Sequence, residues 1–299
     1  MSAAQEQSRR IHVVGIGAGS PGHLTAQAAA AIREVDVVLV ADKGERVDEL
    51  RALREAILRE VCADGRLPEV VAVPDPRRGP DAERDATGYA QAVRDWHAAR
   101  TDAYVRVIEE LPEDAVVGFL VWGDPAFYDS TIRVVDAIGE RLPTEVTVVP
   151  GISAFQALAA EHQVVLHRVG EPVHVTTGRR LVEQWRAARA AGVALGTVVV
   201  MLDGHLACQD LVGSDPDLTI RWGAYVGMPQ QELRAGRLAD LGLLEPRRRA
   251  PRHPLGPARR EPGRARQAGG RAAPVDARLD LHLPGRGAGH GQHGLPLHR

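Results

Sequence analysis

Three times in this chain an apolar run stops at a glycine- or proline-broken turn that leads into a helical stretch. The segments are Val14–Thr25 (VGIGAGSPGHLT), Phe119–Ser130 (FLVWGDPAFYDS) and Val148–Ala160 (VVPGISAFQALAA). A buried strand ending on glycine brings bare backbone N–H and C=O groups to the carboxyl edge of a sheet, where open α/β folds bind ligands. Around these turns the pattern predicts strands at Ile11–Ile16, Asp36–Ala41, Glu69–Val73, Ala115–Val121 and Glu145–Val149. Helices are predicted near Thr25–Glu34, Asp48–Val61, Asp85–Leu111 and Phe127–Arg141. The third shows Tyr89, Val93, Trp96, Tyr104, Val107, Ile108 and Leu111 at helical spacing. Strands alternating with crossover helices predict an α/β fold whose parallel sheet is covered on both faces.

Pro150–Gly151 reads as a hinge. Beyond it the pattern predicts a helix at Ser153–Ala160, strands near Val173–Thr177, Thr197–Leu202 and Leu218–Val226, and a helix near Leu181–Ala191. The expected organisation is a disordered N-terminus (1–10), an α/β domain (11–149), a smaller and incomplete α/β domain (150–245) and a tail (246–299). A chain of 299 residues has room for two such cores, and 44% hydrophobic with 25% charged residues suits a soluble protein. A net charge of −2 gives no reason to expect nucleic acid, and the longest apolar runs fall far short of a membrane span. Two cysteines, Cys62 and Cys208, are too few for a disulfide framework and read as core thiols, consistent with the cytoplasm. The tail changes texture: Arg, Pro, Gly and His dominate, with about four arginines per acidic residue and no sustained period. Little there builds a core that offsets chain entropy. His290 and His293 stand at metal-ligand spacing, but such a tail gives them no scaffold, and no metal is expected.

The turns carry the chemistry. Gly15, Gly17 and Gly19 follow the first strand, yet Ser20 stands where a dinucleotide fingerprint has its third glycine, and Pro21-Gly22 delays the helix. A nicotinamide-binding oxidoreductase stays open at this point, with Asp42 as its ribose-binding acid. Gly123 allows a ligand close to the backbone, and Asp124 is placed to cap a helix started by Pro125. Arg168, Arg179 and Arg180 fall just outside predicted strand ends, where arginine forks pair well with carboxylates. Each reads equally as a solvated surface arginine.

In this order and spacing the three turns resemble the tetrapyrrole (corrin/porphyrin) methylase family. The resemblance implies two α/β domains with S-adenosylmethionine bound in a cleft between them, a homodimer, and no metal. It implies cofactor contacts from Pro21, from Trp122, Gly123, Asp124 and Pro125, from Ser153 and Ala154, from Met201 in an adenine pocket, and from Ala224. Met228 stands where the family usually has threonine. Asp42-Lys43-Gly44-Glu45, the Trp-Gly-Asp-Pro turn and Val173–Leu181 are similar to the deacetylating branch of the family. That likeness implies methyl transfer from S-adenosylmethionine to C-1 of precorrin-5 with release of acetate, giving precorrin-6A in aerobic cobalamin biosynthesis. Asp124, Tyr128, Lys43 and His167 are the candidate acids and bases; Arg168, Arg179 and Arg180 are candidate grips for the substrate's carboxylates. Family members end near Gly-Trp-Ile-Met-Asp-x-Tyr-Leu-Leu, a string this chain lacks. Reading Val275-Asp276-Ala277 one base later, from GTG-GAT-GCN, yields Trp-Met, so the tail is expected to be disordered or out of frame. Action on another precorrin, and a cofactor-binding chain impaired by its aberrant C-terminus, stay open beside the main reading.

Overall fold

Val116–Val121 (β4) is buried at every position, which a strand manages only when both faces of its sheet are covered. The computed structural model describes residues 8–42, 48–76, 86–241 and 278–282; Lys43 and the rest of 246–299 lie outside them. The chain divides into two compact units, Met1–Gln163 with Tyr225–Glu232, and Val164–Ala224 with Leu233–Arg299.

In the first unit β1 (Arg9–Gly15), β2 (Val37–Asp42), β3 (Glu69–Pro74), β4 and β5 (Thr144–Val149) form a sheet in the order β3-β2-β4-β1-β5. Every pair is parallel. Helices α1 (Ala26–Glu34) and α2 (Asp48–Val61) cover one face through Ala28, Ile32, Ile57, Leu58 and Val61. Helices α3 (Ala86–Glu110) and α4 (Thr131–Gly139) cover the other through Tyr104, Ile108, Val134, Val135 and Ile138. The neighbours β1 and β4 therefore send their helices to opposite faces. Their loops diverge, and the crevice left between them is the place where such sheets bind ligands.

Three expectations need correcting here. The first strand begins at Arg9, inside the stretch expected to be loose. Helix α4 begins at Thr131 rather than near Phe127, because Tyr128 adopts a left-handed backbone (φ 53°) that no α-helix continues through. The helix after Pro150–Gly151, α5 (Ala154–Glu161), stays with the first unit, as does Tyr225–Glu232.

The second unit holds β6 (Val173–Thr177), α6 (Gly178–Ala190), β7 (Thr197–Met201), β8 (Thr219–Ala224), β9 (Glu232–Arg237) and β10 (Arg278–His282). Its sheet runs β6-β7-β10-β8-β9. The β6–α6–β7 crossover gives a parallel pair, while β10 lies antiparallel to both β7 and β8. Leu181, Trp185, Val198, Val200, Leu218 and Ile220 are buried about this sheet. The tail is thus not structureless throughout. Arg-Leu-Asp-Leu-His alternates at the strand period and pairs Leu279 with Val200 on one side and Trp222 on the other. Cys62 and Cys208 are free and buried, one in each unit, and burial pushes the Cys208 thiol up to about 12. No described helix is long and apolar enough to cross a membrane.

Removing β10 would leave the facing edges of β7 and β8 without partners, and unpaired buried backbone is costly. A chain ending at Leu241 should melt on the order of 10 °C lower than the full chain, by circular dichroism. An unchanged melting curve would show that β10 adds nothing to the second sheet.

Candidate active site

Three backbone segments meet at the carboxyl edge of the first sheet. A Cβ added to Gly15 would lie 2.6 Å from the Gly151 nitrogen and 2.9 Å from the Gly123 carbonyl oxygen, closer than real side chains approach. Only glycine permits this convergence. Gly17 N–H donates to the Gly123 carbonyl (3.2 Å) and Gly123 N–H to the Gly17 carbonyl (2.8 Å), tying the first turn to the second. Gly17 and Gly123 both take the left-handed conformation (φ 77° and 68°).

Asp124 ties the second turn to the third. Its Oδ2 accepts from the Gly151 N–H (2.9 Å) and its Oδ1 from the Ala126 N–H (2.8 Å). Each carboxylate oxygen thus already holds a backbone donor, which makes Asp124 a clamp on the loops and a poor fit for a free base. Ser153, buried, opens α5; its N–H and Oγ both donate to Gln156 Oε1 (2.9 and 2.7 Å). Gly123 faces this helix start: a Cβ there would sit 3.6 Å from Ser153 Cα and 3.9 Å from Ala154 N. Pro125 is buried in the turn, and Phe127 meets Phe155 edge-on at 5.0 Å. Tyr128 is exposed, and burial of part of its ring raises the phenol, which therefore stays protonated and able to donate at neutral pH.

Pro21 opens a short 3-10 turn, Pro21–His23, and α1 starts only at Ala26 with Thr25 Oγ1 accepting from Ala28 N–H (3.0 Å). No helix N-terminus opens directly from the glycine loop, unlike a pyrophosphate site. His23, which carries no sequence signal of its own, packs on this loop. A Cβ at Gly17 would meet His23 O at 2.9 Å, and one at Gly227 would meet His23 Nε2 at 2.8 Å. His23 Nδ1 is shut off from solvent and has no partner among the described residues. Burial holds the imidazole below its ordinary value, opposed by Glu161, so it is neutral at pH 7. Glu161 Oε2 accepts from Gln231 Nε2 (2.7 Å), and Gln231 Oε1 accepts from the Gly227 N–H. The Met228 thioether faces Gly19.

The remaining expected residues belong to the second unit. Met201 ends β7 and Ala224 ends β8, both buried. Arg179 and Arg180 open α6, exposed, with Arg180 Nε 3.7 Å from Glu183. His167 and Arg168 are exposed on the approach to β6. The first unit thus brings Gly123, Asp124, Ser153 and Ala154 together at one sheet edge, with Trp122 and Pro125 in the same turn and Pro21 and Tyr128 on the segments that lead away from the turns. Asp124→Ala removes the acceptor for two backbone donors and should cost about 2 kcal/mol in urea unfolding. A change within about 0.5 kcal/mol, as at an ordinary surface site, would contradict the clamp.

The family profile of the Tetrapyrrole (Corrin/Porphyrin) Methylases matches residues 10–242. The precorrin-6A synthase [deacetylating] of a Sinorhizobium species is 39% identical over 247 residues, which is 80% of this chain and 87% of that protein. The solved structure of a cobalamin synthesis related protein (CobF) from Corynebacterium diphtheriae is 39% identical, with a TM-score of 0.61 over 77% of this chain and 86% of that one. The fold also matches a uroporphyrin-III C-methyltransferase from Thermus thermophilus solved with S-adenosyl homocysteine, at 19% identity and a TM-score of 0.51 over 91% and 92% of the two chains. With its glycine-lined crevice and this match along most of its length, the chain belongs to the tetrapyrrole (corrin/porphyrin) methylases, S-adenosylmethionine-dependent methyltransferases.

Proposed function

We propose that this chain methylates C-1 of precorrin-5 and releases the acetyl group there as acetate, giving precorrin-6A. Its similarity, over most of both lengths, to a relative named for the deacetylating reaction carries this reading. The crevice suits the cofactor half of the task. The sulfonium makes its methyl electrophilic, so this half needs alignment and exclusion of water more than acid or base. Pro21, Trp122–Pro125, Ser153 and Ala154 would border the methionine part of S-adenosylmethionine, with Met201 and Ala224 serving its adenosine part and Arg168, Arg179 and Arg180 the substrate's carboxylates.

Deacetylation needs a base and an oxyanion stabiliser. A base takes a proton from water, and the hydroxide adds to the acetyl carbonyl. The bond to C-1 then breaks, acetate leaves, and the electron pair stays on the ring carbon. That carbon attacks the sulfonium methyl, releasing S-adenosylhomocysteine. His23 is neutral at pH 7 and stands beside the turns, which suits the base; Tyr128, protonated, suits the oxyanion. Asp124 is committed to backbone donors, and His167 is exposed in the second unit.

Incubation with precorrin-5 and methyl-labelled cofactor should transfer one label and release one acetate, and product mass should fall by that of CO. Methylation without acetate would indicate a sibling activity, and neither event would overturn the reading. A burial-lowered base keeps its neutral form at lower pH, so the acid limb of kcat should fall below the ordinary imidazole value of 6.5. In His23→Gln that limb should vanish together with roughly 100-fold in kcat.

A further inference from the structure

Helix α2 carries Ile57, Leu58 and Val61 on its buried stripe. Arg54 stands on the same stripe, at i relative to i+3, i+4 and i+7. A guanidinium in such a place is normally paired, because an isolated charge taken from water is costly. Arg54 instead lies 5.2 Å over the Trp122 ring, and no carboxylate among the described residues forms an ion pair with it. The neighbouring Arg100 shows the contrast. Its Nε is 3.0 Å from Asp75 Oδ1, it stacks on Trp96 at 4.7 Å, and both charges are nearly buried. Asp129, an acidic group near Arg54, already accepts from the Thr131 N–H at 2.6 Å. The Trp122 Nε1–H is shut off from solvent with no partner among the described residues. Burial pulls the Arg54 pKa down, and Tyr104 and Asp129 only partly oppose it. A half-buried cation with no ion-pair partner among the described residues thus lies over the ring of the residue immediately before Gly123.

We propose that Arg54, stacked on Trp122, is an anion subsite that receives a carboxylate of the small molecule bound at this crevice. The inference rests on the methyltransferase reading and names the chemistry the site selects. Two ligands of that reaction carry the group: the amino-acid end of the cofactor, and the acid arms of the tetrapyrrole. The subsite explains why an arginine stands on an apolar stripe with no counter-ion among the described residues, since the ligand supplies one.

Titration calorimetry on the full chain and Arg54→Met would use three probes. S-adenosylhomocysteine carries the amino-acid carboxylate, 5′-methylthioadenosine lacks it, and uroporphyrin presents tetrapyrrole carboxylates. Arg54→Met should melt within a few degrees of the wild type, because the apolar chain keeps the packing of the arginine stem on the helix stripe. It should bind 5′-methylthioadenosine unchanged and one carboxylate probe roughly 10- to 100-fold more weakly. Loss on S-adenosylhomocysteine assigns the cofactor's carboxylate, and loss on uroporphyrin the tetrapyrrole's. Should Arg54→Met fail to fold, Arg54→Lys keeps the charge and should show the same selectivity with a smaller loss. Wild-type affinity for both carboxylate probes in the variant overturns the subsite. So does equal weakening of all three, or a wild type that binds neither carboxylate probe. A wild type that takes uroporphyrin through Arg54 but not S-adenosylhomocysteine sinks the methyltransferase reading and leaves the subsite standing.

Discussion

The close approach of Gly15, Gly123 and Gly151 is the constraint on which the first unit's chemistry depends. Three strands of a parallel sheet end together only if their outgoing loops do not collide, and a Cβ at Gly15 would already meet the backbone of the other two. The paired N–H···O=C bonds between Gly17 and Gly123, and the two acceptors of Asp124, then hold the loops in register. What remains is a concave lining of backbone at the point where α1 and α4 diverge. Such a lining is preorganised, so binding pays little to order it, and a methyl donor held there needs positioning more than chemical assistance.

Charge around this lining is arranged by burial rather than by number. Asp124 spends its charge on backbone donors, Arg100 on Asp75, and burial holds the His23 imidazole below its ordinary value. Arg54 keeps a charge with no protein partner among the described residues, which suits a polyanionic ligand. In the second unit the corresponding constraint is β10. An antiparallel strand inserted between β7 and β8 makes one continuous sheet from two halves. The alternation in Leu279-Asp280-Leu281 sits two residues beyond the codons where a shifted frame would restore the family's terminal Trp-Met. Strand β10 of the sequence as it stands pairs with β7 and β8.

Much of the first unit was legible because its signals are local. Continuous apolar runs such as Val116–Val121 mark doubly covered strands, and α2 was read with its limits at Asp48 and Val61. The turns were legible because glycine and proline there serve backbone geometry that no other residue allows. Tyr128 was not: a left-handed tyrosine has no sequence signature, so the α4 helix was begun too early. β9 was missed because Glu232–Arg237 is mostly exposed and lacks an apolar run. β10 was missed because five alternating residues inside an Arg/Pro/Gly stretch carry weight only once partner strands exist. Arg54 did leave a signal, a charge on the Ile57–Leu58–Val61 stripe, but a single arginine at helical spacing reads equally as a solvated surface charge. His23 lies inside the first turn, and only the packing of Gly17 and Gly227 against it reveals its place.

The central claim, that the glycine-lined crevice is the cofactor site, is tested most directly at Gly123. A Cβ there meets Ser153 Cα at an ordinary 3.6 Å, so Gly123→Ala bears only the strain of φ +68°, about 1 kcal/mol, and should fold. The added methyl would nonetheless occupy the ligand's approach. Titration calorimetry with S-adenosylhomocysteine should show binding to the wild-type chain and a loss of roughly 100-fold or more in Gly123→Ala with its circular dichroism unchanged. Equal affinity in the two proteins would contradict the account.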